Sequence, residues 1–507
     1  MKINFFSRFN THEFRGVAVL TFIVYFITSI CGWLNFLIAH LTRGNYFPVK
    51  NYLTVFNNSH IININEITKS IYNFSGYLVK IKTNFPYKII DDVFFTLLST
   101  LLVILFLIGY KLVKTQKISQ TEIIKWSVVL SFLMTFALPS HSSDLFGYIA
   151  RGAQQTLFHQ NPYIHTVSEV KNYSSYPLFL NFMWPNQPTT YGPVFIYITK
   201  AIVFLSNNNL FLSFINFKLL NLTIFFLLIL FLVRSSDNED LYLIAWNPLI
   251  LIQGLWNCHN DLISGVLICV GFILLSNKTK INNNIFWSIF CLTFACGIKY
   301  ISLIALPFVL IYVFHKGFSL RKSVNFILGF CAGSILILIF SLDYLNTINW
   351  LSEQCLCKLV GNVNLVHQSL IETIATLIKD LCKLFGIKYD LFIIYHLLKS
   401  LIYLVFGLFY FYMLFFRKKS NLISVIAWML FIFLAFTIAK FHSWYLLNII
   451  FLIPLLKDSL IKKLLIAVSL SHVYAITFVD QSKILNFVSM TLLPCIYTLV
   501  KQRKINH

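Results

Sequence analysis

The chain has 507 residues, of which 58% are hydrophobic and only 11% are charged, and its formal net charge is +22. A soluble domain carries about a quarter charged residues, and a packed core could not hide this much apolar surface from water. The composition therefore excludes a soluble globular protein and indicates lipid as the main solvent. The basic side chains lie mostly in short runs between apolar segments. This pattern indicates positive-inside topology and attraction to anionic lipid head groups rather than nucleic-acid binding.

Apolar runs long enough to cross a bilayer recur along the chain. They predict one all-α polytopic membrane domain over residues 1–507. We expect about fourteen transmembrane helices, at 17–39, 93–112, 123–139, 210–233, 241–256, 261–276, 284–298, 299–315, 323–341, 391–416, 421–439, 444–456, 462–477 and 484–500. The first run is too long for a signal peptide and lacks a small-residue cleavage site, so we expect it to remain a membrane helix.

The basic residues predict an orientation. Arg8 and Arg15 precede the first run, which places the N-terminus in the cytoplasm. Alternating the spans puts the C-terminus on that side as well, together with the clusters Lys111/Lys114, Lys278/Lys280, Lys316/Arg321/Lys322, Arg417/Lys418/Lys419, Lys457/Lys462/Lys463 and Lys501/Arg503/Lys504. This assignment requires that the run 192–206 does not cross, and we interpret that run as re-entrant or interfacial.

The same topology places three long segments outside. We predict that 139–208 is an external catalytic loop with re-entrant or interfacial helices, and that 342–390 is a second external loop. The third segment, 41–90, carries several lysines that fit this side poorly, although the rule weakens for loops of about sixty residues. Because the cytoplasmic loops are short and basic, any chemistry is expected at the external membrane face.

The segment from Ser142 to Gly152 directly follows an apolar run and is rich in polar residues. If it is helical, Asp144, Tyr148 and Arg151 lie on one face. A carboxylate there could activate a hydroxyl as general base, and a guanidinium matches the geometry of a phosphate. Alternatively, Asp144 caps the helix after the two serines and Arg151 only pairs with it.

A stretch rich in proline and aromatic residues follows, including Asn161-Pro162-Tyr163 and Thr190-Tyr191-Gly192-Pro193. It predicts an ordered external loop rather than a linker. Tyr163 and Tyr191 suit an interfacial aromatic belt, and they equally suit contact with a sugar.

Further polar residues interrupt the apolar runs in three short turns, which is costly unless they cap a helix or serve a site. These residues are His259, Asn260, Asp261, Lys299, Lys440, His442 and Tyr445. Lys299 and Lys440 could snorkel to the interface or neutralise a lipid-linked phosphate. His259 and Asp261 are possible metal ligands, but two residues do not make a metal site.

In their order along the chain, these motifs resemble the GT-C class of polytopic glycosyltransferases. They resemble most closely the bacterial polyprenol-phosphomannose-dependent α-1,6-mannosyltransferase family. The resemblance rests on Asp144-Leu145-Phe146-Gly147-Tyr148 with Arg151-Gly152, Asn161-Pro162-Tyr163, Thr190-Tyr191-Gly192-Pro193, Trp246-Asn247-Pro248-Leu249, His259-Asn260-Asp261, the Lys299 turn before Ala305-Leu306-Pro307, and Trp444-Tyr445-Leu446. The family pattern usually has glycines before the histidine, where Asn257 and Cys258 stand here.

The resemblance implies a GT-C-like bundle whose external loops carry the active site, in the bacterial inner membrane. It implies an inverting transfer of a hexose, expected to be mannose, from a polyprenyl-phosphate donor to a glycan or glycolipid acceptor. It makes Asp144 the general base, and no obligatory metal or other cofactor is expected. The candidates for the donor phosphate are Arg151, Lys299, His259 and Lys440, and those for substrate contacts are Tyr148, Tyr163, Tyr191, Asn260, Asp261, His442 and Tyr445.

Two other functions remain open from the sequence. Many spans with polar residues also fit a sugar-lipid transporter or flippase, although transporters place such residues near the bilayer midplane rather than at one face. A lipid-linked glycan polymerase or ligase would share the external site and differ in using a diphosphate donor.

Overall fold

The computed structural model describes residues 11–43, 87–116, 118–139, 142–179, 182–276, 281–315, 319–344, 369–386, 390–415, 422–438, 441–457, 460–474 and 486–506. Every regular element in those ranges is helical. The α-helices are α1 (Thr11–Arg43), α2 (Tyr87–Gln116), α3 (Gln120–Phe136), α4 (Asp144–Leu157), α5 (Pro193–Leu205), α6 (Leu210–Ser235), α7 (Asn238–Ala245), α8 (Asp261–Ser276), α9 (Ile281–Cys296), α10 (Leu306–His315), α11 (Leu320–Ser341), α12 (Leu370–Leu384), α13 (Leu391–Phe415), α14 (Leu422–Ile432), α15 (Leu447–Ile450), α16 (Leu460–Ser471) and α17 (Leu493–Asn506).

Shorter helical turns connect these elements. Within the described ranges, three segments are π-helical, at Ile250–Trp256, Phe433–Thr437 and Val488–Leu492. The 3-10 turns are Val167–Glu169, Tyr173–Ser175, Pro177–Phe179, Tyr300–Ile304, Leu342–Tyr344, Ser443–Leu446, Ile453–Leu455 and His472–Tyr474. All seven residues of the π-helical segment Ile250–Trp256 are buried, and the main apolar core surrounds it.

Among the described residues, five helical segments are long and apolar enough to cross a membrane, namely His12–Ile30, Val93–Thr115, Leu210–Ser235, Leu320–Tyr344 and Ile393–Phe415. The prediction of an all-α membrane protein is confirmed. The count of fourteen spans stays a prediction, because six other apolar helices in the described part have only 10–17 residues. The predicted spans 241–256 and 261–276 are separated by a sharp bend. The helical segments Ile250–Trp256 and Asp261–Ser276 on either side of it differ in direction by 118°.

The run 192–206 forms α5, whose 13 residues are fewer than the roughly 20 that a membrane crossing requires. Pro193 is its first residue, a position where the missing N–H is not needed. The helix lies against α4, because an added methyl group at Gly152 would fall on the carbonyl oxygen of Thr199. That this run does not cross the membrane stays a prediction.

Three ion pairs lie at the end of the bundle opposite to α4. Arg15 contacts Glu122 at 2.5 Å, Lys114 contacts Glu239 at 3.4 Å and Lys462 contacts Asp240 at 2.6 Å. Glu122 lies in the first turn of α3, and this helix of 17 residues rises about 25 Å before the chain enters α4. The charge pattern predicts that Arg15, Lys114 and Lys462 lie on the same side of the membrane. In the structure, these three residues lie at the same end of the helix bundle.

Candidate active site

Asp144 is the first residue of α4, and Ser143 precedes it as the N-cap. The backbone N–H of Asp144 donates to Ser142 Oγ at 3.2 Å. A carboxylate in the first helical turn is stabilised by the helix dipole. The side chain of Asp144 is 19% exposed, which leaves a carboxylate oxygen within reach of a ligand.

His259 is the ion partner of Asp144 in the described part of the chain. Its Nδ1 lies 3.2 Å from Asp144 Oδ2, and its side chain is completely buried. Burial raises the pKa of the Asp144 carboxyl, but contact with His259 and the charges of His259, His442 and Lys299 outweigh that effect and hold the pKa below its usual range. Asp144 is therefore ionised at neutral pH, as a general base must be.

Arg151 lies two turns further along α4 and does not pair with Asp144. Its guanidinium donates to Gln154 Oε1 at 3.0 Å and to the carbonyl oxygen of Gln187, and it lies over the ring of Phe182. Only 3% of Arg151 is exposed, and burial lowers its pKa to about 10. It is a buried cation with no carboxylate partner among the residues that the structure describes.

Asp144 and Arg151 border one small pocket of about 90 Å³ between α4 and residues 182–191. Trp184, Gln187 and Tyr191 also line it. The pocket thus has a carboxylate and a guanidinium on the same helix, with an aromatic loop as its other wall.

The chain reverses direction between the π-helical segment and α8, and α6 holds this break together. Lys218 Nζ donates to the carbonyl oxygens of Ala137 at 2.9 Å, of Leu255 at 3.0 Å and of Trp256. Asn221 Nδ2 donates to the carbonyl oxygens of Gly254 at 2.9 Å and His259 at 3.2 Å. The sequence interpretation missed both residues, although a buried lysine inside a 26-residue apolar helix is itself a signal.

Cys258 precedes His259 in a left-handed conformation, with φ of 59°. Glycine adopts this conformation without steric cost, which explains why a glycine-rich pattern is usual before such a histidine. Here the cysteine is buried and its Sγ–H contacts the carbonyl oxygen of Phe217 at 3.4 Å. The turn therefore keeps the shape that presents His259 to Asp144.

Trp444 lies between two imidazoles. Its ring stacks on His259 with centroids 4.1 Å apart and planes 9° apart, and on His442 with centroids 4.3 Å apart and planes 5° apart. Both faces of the indole are covered, so Trp444 has no face on which a sugar could stack.

Lys299 and Asp261 form an ion pair at 2.5 Å. Asn448 Nδ2 donates to the same carboxylate oxygen at 2.6 Å, and Lys299 Nζ lies 3.8 Å from the ring centroid of Tyr445. Lys299 is therefore held at the site rather than extended toward the interface, and Asp261 already offsets its charge.

A glycine permits the approach of Asn448 to Asp261. Gly265 lies one turn after Asp261 in α8, and an added methyl group would fall on the carbonyl oxygen of Leu447 and 2.8 Å from Phe451 Cδ2. We expect Gly265→Ala to lower the free energy of unfolding by about 1–3 kcal/mol through overpacking. Gly407→Ala is the matched control, because nothing lies within 4 Å of its added methyl group. Equal melting temperatures for the two variants in detergent would contradict this account.

The predicted tyrosines have different environments. Tyr148 is buried, and its hydroxyl oxygen accepts from Asn260 N–H at 3.3 Å. Its ring meets that of Tyr191 edge to face at 5.3 Å, and the hydroxyl of Tyr163 donates to the carbonyl oxygen of Tyr191 at 2.7 Å. Tyr148 and Tyr163 thus support Tyr191, which is the one of the three that borders the pocket.

Lys440, the fourth phosphate candidate, lies outside the described residues. Among the residues that are described, no three His, Cys, Asp or Glu side chains converge to hold a metal ion. Independence from metal stays a prediction.

Comparison with known proteins supports the family resemblance that the sequence motifs indicate. Residues 77–315 match the family described as α-(1→6)-mannopyranosyltransferase, N-terminal domain. The chain is 24% identical over 243 residues to α-(1→6)-mannopyranosyltransferase A of Mycobacterium tuberculosis, covering 46% of this chain and 45% of the relative. The resemblance to these mannopyranosyltransferases is confirmed.

A second relative is α-(1→6)-mannopyranosyltransferase A of Corynebacterium glutamicum, 26% identical over 183 residues, which are 35% of this chain and 36% of the relative. The similarity therefore spans less than half the length of either mannopyranosyltransferase. The matched family range includes Asp144, Arg151, His259 and Lys299, and it ends before the segment that carries Trp444. No solved structure matches the chain significantly.

Proposed function

We propose that the chain is an inverting mannosyltransferase that takes mannose from a polyprenyl-phosphate carrier. The acceptor is a hydroxyl group of a glycan or glycolipid at the external face of the bacterial inner membrane, with both chain termini in the cytoplasm. The observation that carries the proposal is an ionised, partly exposed Asp144 that borders one pocket with the buried cation Arg151. The similarity to α-(1→6)-mannopyranosyltransferases supports mannose as the sugar.

In this proposal Asp144 accepts the proton of the acceptor hydroxyl. The acceptor oxygen attacks the anomeric carbon, the bond from that carbon to the phosphate oxygen breaks, and the polyprenyl phosphate leaves with the electron pair. Base and leaving group must lie on opposite sides of the sugar ring for inversion. Asp144 and Arg151 are seven residues apart on α4, which separates their backbone positions by about 10 Å along the helix.

Arg151 is the strongest of the proposed phosphate ligands. A buried cation without a carboxylate partner is costly, and an anionic ligand would offset that cost. Lys299 is already paired with Asp261, and His259 faces Asp144. Polyprenyl-phosphate sugars lack the diphosphate that usually calls for a divalent ion, so the proposal includes no obligatory metal.

Substitution of Arg151 tests the phosphate role. We expect Arg151→Met to raise the donor concentration at half-maximal rate roughly 10- to 100-fold, because hydrogen bonds to charged groups contribute about 1.5–3 kcal/mol. Arg151→Lys should recover part of the loss, since it keeps the charge but not the planar fork. Lys299→Met is assayed in parallel. A large rise in the half-maximal donor concentration for Lys299→Met, with no rise for Arg151→Met, would place the phosphate at Lys299 instead.

The donor class and stereochemistry are tested directly with purified protein in lipid. We expect transfer from polyprenyl-phosphate mannose, none from nucleotide-linked mannose, no loss in EDTA, and inversion at the anomeric carbon by NMR of the product. Transfer only from a diphosphate-linked donor would favour the polymerase or ligase alternative. Retention of configuration would exclude the single displacement.

A further inference from the structure

We infer that His259 is a positioning residue for Asp144, and that Trp444 holds His259 in place by stacking on its ring. This inference rests on the proposed function only for its effect on the reaction, because the arrangement itself can be tested without transfer. It changes the role of His259 from a ligand of the donor phosphate to an orienting group behind the base.

The first step is the burial of His259. Its side chain is completely buried, whereas Asp144 keeps 19% exposure and borders the pocket. An incoming hydroxyl or phosphate therefore meets Asp144 before it meets His259. His259 Nδ1 lies 3.2 Å from Asp144 Oδ2, so His259 contacts the carboxylate through one of its two oxygens.

The second step concerns the plane of the imidazole. An imidazole that turns out of its plane loses the Nδ1 contact, so its orientation must be held by neighbours. Trp444 covers one face of His259 with near-parallel rings 4.1 Å apart. In the described part of the chain, neither ring nitrogen of His259 has a well-aligned hydrogen bond, so stacking is the contact that sets the plane.

The third step is the restraint on Trp444. His442 stacks on its opposite face at 4.3 Å, and Tyr445 meets His442 edge to face at 5.4 Å. The indole is thus confined between two imidazoles and cannot swing away from His259. The column from Asp144 through His259 and Trp444 to His442 joins the start of α4 to the segment before α15.

The charged and titratable groups around Asp144 come from five parts of the chain. They are Tyr148 from α4 itself, His259 from the helix break, Lys299 from the turn after α9, His442 and Tyr445 from the segment before α15, and Tyr191 from the loop before α5. Loss of the His259 contact leaves burial as the main influence on Asp144, and burial favours the protonated carboxyl.

The experiment is an infrared titration of the protonated Asp144 carboxyl band, identified by its absence in Asp144→Asn, in the full-length protein in detergent. We expect Trp444→Leu to raise the titration midpoint by about one pH unit or more. Trp444→Phe keeps an aromatic face and should titrate like the wild type. Trp428→Leu is the control, since Trp428 packs on Phe431 in α14 and should leave the midpoint unchanged.

In the transfer assay the acid limb of kcat/KM should move up by the same amount in Trp444→Leu, so activity near pH 5 falls before activity at pH 7. His259→Leu should shift the midpoint at least as far. An unchanged midpoint in both Leu variants, or an equal shift in Trp428→Leu, would overturn the inference. A shifted midpoint in a protein that transfers no sugar would keep the inference and reject the proposed function.

Discussion

Asp144→Asn is expected to lower the rate of sugar transfer by about 10²- to 10⁴-fold, the usual contribution of a positioned general base. The amide keeps the size of the carboxylate but cannot accept the hydroxyl proton in its place. Because Asp144 is partly exposed and lies at the first position of α4, the variant should fold normally. The measurement is single-turnover transfer with the donor already bound, which isolates the chemical step.

Asp343→Asn is the matched control for that variant. Asp343 is a half-exposed carboxylate paired with Lys200, and its substitution should leave the transfer rate within about twofold, as for other surface pairs. Equal rates for Asp144→Asn and the wild type would remove Asp144 from the mechanism. The search for the base would then turn to Asp261, the other carboxylate at this site.

Lys218→Met is expected to have the largest effect on stability. The substitution leaves the buried carbonyl oxygens of Ala137, Leu255 and Trp256 without their donor, and each orphaned acceptor costs about 1–3 kcal/mol. Removal of a buried charge offsets part of this cost. We expect a net loss of about 3 kcal/mol in the free energy of unfolding, seen as a lower melting temperature in detergent.

Transfer activity should fall in the same variant, because residues 254–259 carry His259 to Asp144. Lys200→Met, which removes only the half-exposed pair with Asp343, should change stability by less than 1 kcal/mol. If Lys218→Met melted at the same temperature as Lys200→Met, the three carbonyl contacts would not stabilise the helix break.

Local patterns in the sequence predicted the local parts of the site. The helical period placed Asp144, Tyr148 and Arg151 on one helix, and the charge-based topology required that the run 192–206 does not cross. The cost of polar groups between apolar runs identified the turn at His259 and Asp261. The inferences about the helix and the turn depend only on residues that are close together in the sequence, and hydrophobic periodicity is sufficient to make them.

Contacts between distant elements could not be predicted in this way. Periodicity does not reveal that Lys299 meets Asp261, that His259 meets Asp144, or that Trp444 lies between His259 and His442. Each contact depends on how separate helices pack, and cations and carboxylates have several possible partners. The count of spans stays a prediction for a related reason, since hydropathy does not distinguish a crossing helix from a short apolar helix buried among others.

The most direct test of the central claim is a measurement in proteoliposomes that contain the purified chain, radiolabelled polyprenyl-phosphate mannose and a glycan and glycolipid extract. The account predicts label in a glycosidic product with the wild type, and none above background with Asp144→Asn. Label that crosses the bilayer on its original lipid, with no glycosidic product from any prenyl-phosphate sugar, would contradict the account and favour a transporter.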